Sequence, residues 1–218
     1  MSRTILGLVF LLLFVPVSVF AEGGKVEAIG ALSDQSVSES VRKSLEPKGY
    51  RVTLSDGSVA CEIWLRSAVP ASKTEAPGAI YTALGESSLI GVMTFPKATS
   101  DFRGQSIKPG TYTLRYALHP TDGNHLGISP IRDFLVLIPV SVDQNADAQY
   151  KFEELVKMSA KASGTNHPAV ISLVSPESKP APTVAENEHG HTVFSAKIKS
   201  QSGADVPIAF VVKGVAEQ

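Results

Sequence analysis

The chain has a single cysteine, Cys61, among its 218 residues. One thiol excludes an internal disulfide, so only apolar burial and backbone pairing can hold the fold. It also excludes the paired Cys-x-x-Cys ligands of zinc ribbons. An excess of one charge is missing too: 20 Lys and Arg stand against 21 Asp and Glu, in no long block of either sign. Without a basic face, nucleic acid is not an expected partner. The chain lacks Gly-x-Ser-x-Gly, a Gly-rich phosphate loop, a dinucleotide fingerprint and His-Glu-x-x-His, which removes the most recognisable hydrolase and nucleotide-binding signatures.

The longest apolar run is Ile5 to Phe20, preceded by Arg3, and Val19 near its end and Ala21 just after it occupy the small-residue positions of a cleavage site. It is shorter than the roughly 20 residues of a membrane span. This pattern predicts a secretory signal peptide over residues 1–21. No Cys follows the cut to carry a lipid, and no stable membrane span is expected after cleavage. Residues 22–218 are then an exported chain, periplasmic or extracellular, large enough for one well-filled core.

What is present is strand chemistry punctuated by turns. Tyr112, Leu114, Tyr116 and Leu118 alternate with Thr113, Arg115 and Ala117 after the turn pair Pro109-Gly110, a strand with an apolar and a polar face. Residues 133–138 are apolar on both faces, as in a central covered strand. Residues 50–54 and 59–65 flank Asp56-Gly57, a hairpin signal, and Cys61 shares the apolar face of Ile63 and Leu65. Residues 80–84, 89–95, 169–174, 193–198 and 206–212 read as further strands, with Gly91 marking a bulge or a close approach. Helical signals lie over 33–46, with Asp34, Ser38 or Ser40 as cap, and over 143–164, with Asp143 or Asp147 as cap and Gly164 as stop. Pro176, Pro180 and Pro182 mark an exposed link over 175–190. The expected fold is mainly all-β: one β-sandwich domain of about eight to ten short strands with one or two peripheral helices.

The densest polar cluster follows the central strand: His119, Asp122, Asn124, His125, Arg132 and Asp133. As a plain turn, Asp122 and Gly123 shape the backbone and the histidines bond loop carbonyls. As a site, His119 and His125 with a carboxylate are weak candidate ligands for a divalent metal; no other cofactor is expected. Arg132 is either a loop clamp or an anion-binding group. His189-Gly190-His191 offers a second His pair, or a solvated turn. Trp64 shares a strand face with Glu62 and Arg66, which suits either a stacking platform or a ring covered by a helix or loop. If that strand neighboured residues 112–118, Trp64, Arg66, Arg115 and His119 would form one polar-aromatic patch for a polar or anionic ligand.

The segment Gly110 to Pro139, GTYTLRYALHPTDGNHLGISPIRDFLVLIP, resembles an uncharacterised family of secreted bacterial β-rich proteins, and CEIWLR at 61–66 and SGTNHP at 163–168 are similar to the same family. The resemblance implies export and a shared fold, and carries no catalytic residue. The expected role is non-catalytic binding of a small polar ligand or a protein partner at the cell envelope, through Trp64, Arg66, Arg115, His119, Asp122, Asn124, His125, Arg132 and Asp133. The alternatives are a metal-assisted hydrolase using the 119–133 loop and an assembly factor using an open sheet edge.

Overall fold

The computed structural model describes residues 24–71, 76–120, 131–176 and 182–216. The signal-peptide expectation lies outside them. Among the described residues, twelve strands form three antiparallel sheets, with two helices. The largest sheet is built from β1 (Lys25–Ile29), β2 (Gly49–Thr53), β3 (Val59–Leu65), β4 (Leu89–Phe95), β7 (Gly110–Leu118), β8 (Asp133–Pro139) and β9 (Ala169–Ser172), paired in that order. A second sheet joins β10 (Thr183–Glu186), β11 (Thr192–Lys199) and β12 (Asp205–Lys213). A two-residue pair, β5 (Thr99–Ser100) and β6 (Ser106–Ile107), makes a small hairpin. The all-β sandwich expected from the alternating patterns is the architecture observed.

Alternation decides what lies between the sheets. Ile63, Leu65, Tyr112, Leu114, Tyr116, Leu118, Leu135 and Leu137 project from the large sheet into one core with Phe194, Ile208 and Phe210 of the small one. Tyr50, Phe194 and Phe210 form a tilted chain of rings through it, with centroids 5.6 and 5.4 Å apart. Cys61 is fully buried in the same core. The sandwich is stitched at its rims. Leu173 bridges to Phe210, Val69 bridges to Ser200, and the Tyr81 hydroxyl donates to the Val174 carbonyl while accepting from the Ala209 amide.

The opposite face of the large sheet is covered as well, which the period-two pattern of β7 did not disclose. Helix α1 (Glu39–Ser44) lays Val41 over Trp64, Leu89 and Val92, together with Val140 and Ala146. Helix α2 (Phe152–Ser163) lays Leu155 over Ala117, Phe134, Val136, Ile138 and Val170. Between these helices, residues 140–150 cross the outer face of β7, where Asp143 meets Thr113 and Arg115. Arg115, which the sequence places on an open polar face, is therefore fully buried. Its Nε and Nη2 donate to the two Asp143 carboxylate oxygens at 2.6 and 2.8 Å, and Nη1 and Nη2 reach the carbonyls of Ser87, Ala148 and Asn145. The guanidinium carbon stands 4.8 Å from the Tyr150 ring centroid.

Local signals explain most element ends. Ser38 caps α1 by accepting from the Val41 amide, and Gly164 closes α2 at φ 68. Gly57 takes φ 81 in the β2–β3 turn, where Asp56 accepts from the Ser58 amide. Gly91 sits at a register shift between β4 and β7, and a Cβ there would meet the Trp64 carbonyl at 2.3 Å, so bulge and close approach coincide. Several expectations are corrected. The first helix occupies only 39–44 of the region 33–46, because Asp34 folds the preceding turn by accepting from Ser36 and Thr111. The second begins at Phe152, because Asp143 is taken by Arg115 instead of a helix cap. Residues 80–84 are turns, because the Ile80 and Tyr81 amides bond the Asp133 carboxylate. Part of the expected link is strand β10, paired with β11.

Two outcomes test this packing. Asp143→Ala leaves the Arg115 cation buried without its counter-ion, and urea unfolding should show a loss of about 3–5 kcal/mol; Arg115→Met in the same chain should recover much of it. Burial, and secondarily Glu62, pushes the Cys61 thiol well above its ordinary value, and burial does the same for the Tyr81 and Tyr116 hydroxyls. In the unfolded chain these groups ionise near 9 and 10. The unfolded state therefore holds fewer protons above pH 9, and stability, complete below that point, falls as pH rises. Each group contributes about 1.4 kcal/mol per pH unit once past its unfolded value. Unfolding free energies from pH 7 to 11 measure the slope, and Cys61 should react with a thiol reagent only in denaturant.

Candidate functional site

The residues singled out in the sequence fall into two groups. Trp64, Arg66, Arg115 and Asp133 are all buried. Strands β3 and β7 are separated by β4, so the patch that their pairing would have created does not form. Trp64 is the covered ring of the two alternatives: it lies against Gly49 beneath α1, and its Nε1 donates to the Gly30 carbonyl at 2.9 Å. Arg66 donates to the Ala146 carbonyl at 3.0 Å and pairs with Asp147. Asp133 accepts from the Ile80 and Tyr81 amides, each at 3.0 Å, and from the Tyr116 hydroxyl at 2.7 Å. None of the four presents an open ligand face.

Arg132 is the loop clamp: its Nε and Nη2 donate to the His119 carbonyl at 2.9 and 2.8 Å, and Nη1 to the Pro77 carbonyl at 2.6 Å. His119 is half-buried and stacks on Phe134, with centroids 4.3 Å apart and 22° between planes. Asp122, Asn124 and His125 lie outside the described residues. Among those described, no three His, Cys, Asp or Glu side chains are grouped as metal ligands. The His189-Gly190-His191 segment is a turn in which Asn187 accepts from both histidine amides. His191 bonds the Val215 carbonyl at 2.9 Å and meets Phe102 edge-on.

Among the described candidates, His119 lines a cavity. On the outer face of the large sheet, beside α2, lies a space of about 200 Å³. Its floor is Phe134 and Val170 from β8 and β9, one wall is Phe152 and Val156 from α2, and the other is Phe102 and Pro168. Its mouth carries Arg103, His119, Asn166 and His167. The walls come from elements that meet because β9 is the last strand of the sheet. There the Asp101 carboxylate accepts from the Val170 amide at 3.0 Å, and the Phe102 amide donates back to the Val170 carbonyl at 2.9 Å, as an added strand would. Asp101 also accepts from the amides of Arg103 and Gln105. Gln105 then bolts this turn to the next one, donating to the Pro168 carbonyl at 2.8 Å and accepting from the Thr165 hydroxyl at 2.6 Å.

The mouth is unlike the rest of the polar chemistry. No hydrogen bond or ion pair of the Arg103, Asn166 or His167 side chains occurs among the described residues, and all three are exposed. Two other clefts lack this combination. One lies beside Lys25 and the β2–β3 turn; the other lies beside Lys48, where Lys197 and Lys199 are already paired with Asp205. Arg103 and His167 were not singled out in the sequence. The usable signals were Asp101-x-Arg103-x-Gln105, a turn organised by an acidic residue, and Thr165-Asn166-His167-Pro168 directly after a helix stop. Among the described residues, no helix is long and apolar enough to cross a membrane. Compared with protein-family models, curated proteins and solved structures, the chain matches none.

Proposed function

We propose that the chain is an exported, non-catalytic binding protein of the cell envelope, periplasmic or extracellular, whose ligand site is the cavity beside α2. Export rests on the N-terminal sequence pattern and the resemblance of residues 110–139 to secreted bacterial proteins. The binding role rests on one observation: a largely apolar cavity of about 200 Å³ whose lining includes Arg103, Asn166 and His167, three exposed side chains with no hydrogen bond or ion pair among the described residues. Apolar walls with a few convergent polar groups are the usual composition of a small-molecule site. An engineered apolar cavity of about 150 Å³ accepts benzene, so this one suits a molecule of single-ring size. Its walls are preformed, since the Asp101 and Gln105 bonds fix both turns that frame it, and preorganisation lowers the ordering cost of binding.

The site is testable by filling it. Indole should bind the purified protein with a dissociation constant on the order of 0.1–1 mM, as expected of a ligand of so few atoms. Val156→Trp, on the half-exposed wall from α2, should weaken binding by at least about tenfold while the thermal midpoint stays within a few degrees. Ligand-observed NMR measures the affinity. Equal binding by both proteins would place indole elsewhere and remove the cavity from consideration.

A further inference from the structure

Taking the cavity as the ligand site, we infer that its natural ligand is a small organic anion: one carboxylate-like head group on a single apolar ring or a short carbon chain. The body and the head are specified by different parts of the site. Phe102, Phe134 and Phe152 bring three aromatic rings to one space, and Val156, Val170 and Pro168 complete an apolar lining. Rings meeting rings favour an aromatic or compact aliphatic body, by area burial and by edge or offset contacts. The volume of about 200 Å³ excludes a long acyl chain or a nucleotide.

The head is specified by charge. Arg103 stands at the mouth with no ion pair among the described residues. A guanidinium presents its donors in a planar fork that matches a carboxylate, and stays charged at any working pH. His167 adds ring nitrogens at the same mouth, and Asn166 adds an amide. The nearest acid that shapes the site, Asp101, is turned away from the ligand. It is 1% exposed, and the amides of Arg103, Gln105 and Val170 and the Gln105 side chain all donate to it. Among the described residues, the lining contains no Asp or Glu. An apolar body thus enters an apolar floor while its head remains at a mouth whose one charged side chain among the described lining residues is Arg103.

Three probes with the same ring and similar length separate head from body: phenylacetate, 2-phenylethanol and 2-phenylethylamine. Titration calorimetry, or NMR at the weak end, should show phenylacetate binding at least about tenfold tighter than the alcohol, with the amine weakest. Arg103→Gln should bring phenylacetate to the level of the alcohol and leave the alcohol unchanged. Arg103 is exposed, so its replacement should not move the thermal midpoint. Equal binding of the three probes, or the amine binding tightest, would overturn the anion and leave the cavity standing as an apolar site. If no probe binds and indole also fails, the reading of the cavity as a ligand site falls, and the anion with it.

Discussion

The Arg115 guanidinium has five N–H donors, and the fold uses all five. Two go to Asp143, and three go to the carbonyls of Ser87, Ala148 and Asn145. A buried cation is tolerated only when paired and fully hydrogen-bonded, so this geometry fixes far more than one side chain. It holds residues 140–150 across the outer face of the large sheet. The same crossing lets Ser38 donate to the Gln144 carbonyl and Arg66 reach Ala146, which docks α1. Tyr150, over the guanidinium, leads directly into α2. The sheet becomes a middle layer: small sheet on one side, helices and crossing segment on the other. Only in such an arrangement does the outer face have walls for a cavity.

The end of the sheet supplies the other half of that cavity. A terminal strand exposes a row of amides and carbonyls that invites pairing with another chain. At Val170 this is prevented by the Asp101 carboxylate and the Phe102 backbone, which complete the ladder from a turn. Beyond β9, Leu173 and Val174 bond to β12. An assembly role through this edge therefore has little backbone left to use. The device that closes the edge also orients Arg103 and Phe102, because Asp101 bends the chain so tightly that the next side chains face α2. Edge protection and cavity construction are one structural solution here.

How much of this was legible follows from what each signal encodes. Period-two alternation reports which side chains face a core, and it placed Tyr112 to Leu118 and Leu135 and Leu137 correctly. Two-sided apolarity marked β8 as covered on both faces, and it is. Turn chemistry at Asp56-Gly57 and the helix stop at Gly164 report local backbone, so they too were readable. The failures were non-local. Arg115 looks solvent-facing until residues 140–150, some 28 positions away, lie across it. Asp34 and Asp143 resemble caps in sequence, but Thr111 and Arg115 recruit them in space. Polar residues on a strand face announce either water or a buried network, and a single sequence does not distinguish the two.

That ambiguity suggests a better criterion for function than polarity. Every buried side-chain polar atom among the described residues finds a partner. The Arg and Asp residues that drew attention in the sequence, Arg66, Arg115, Arg132 and Asp133, are among the most completely engaged groups in the molecule. Arg115 has no donor left for a ligand, and the guanidinium groups of Arg66 and Arg132 are held in place by internal partners, however densely these charges cluster in sequence. The informative groups are those that a rigid frame carries to an apolar cavity and then leaves unengaged. Arg103 meets that description because Asp101 takes its backbone amide while, among the described residues, no carboxylate takes its side chain. His167 meets it because Ser163 and Thr165 hold its backbone while its ring stays at the mouth. Fixed main chain with uncommitted side chains, above a floor of phenylalanine, is an arrangement that folding does not require, and it is the feature on which the proposed ligand site rests.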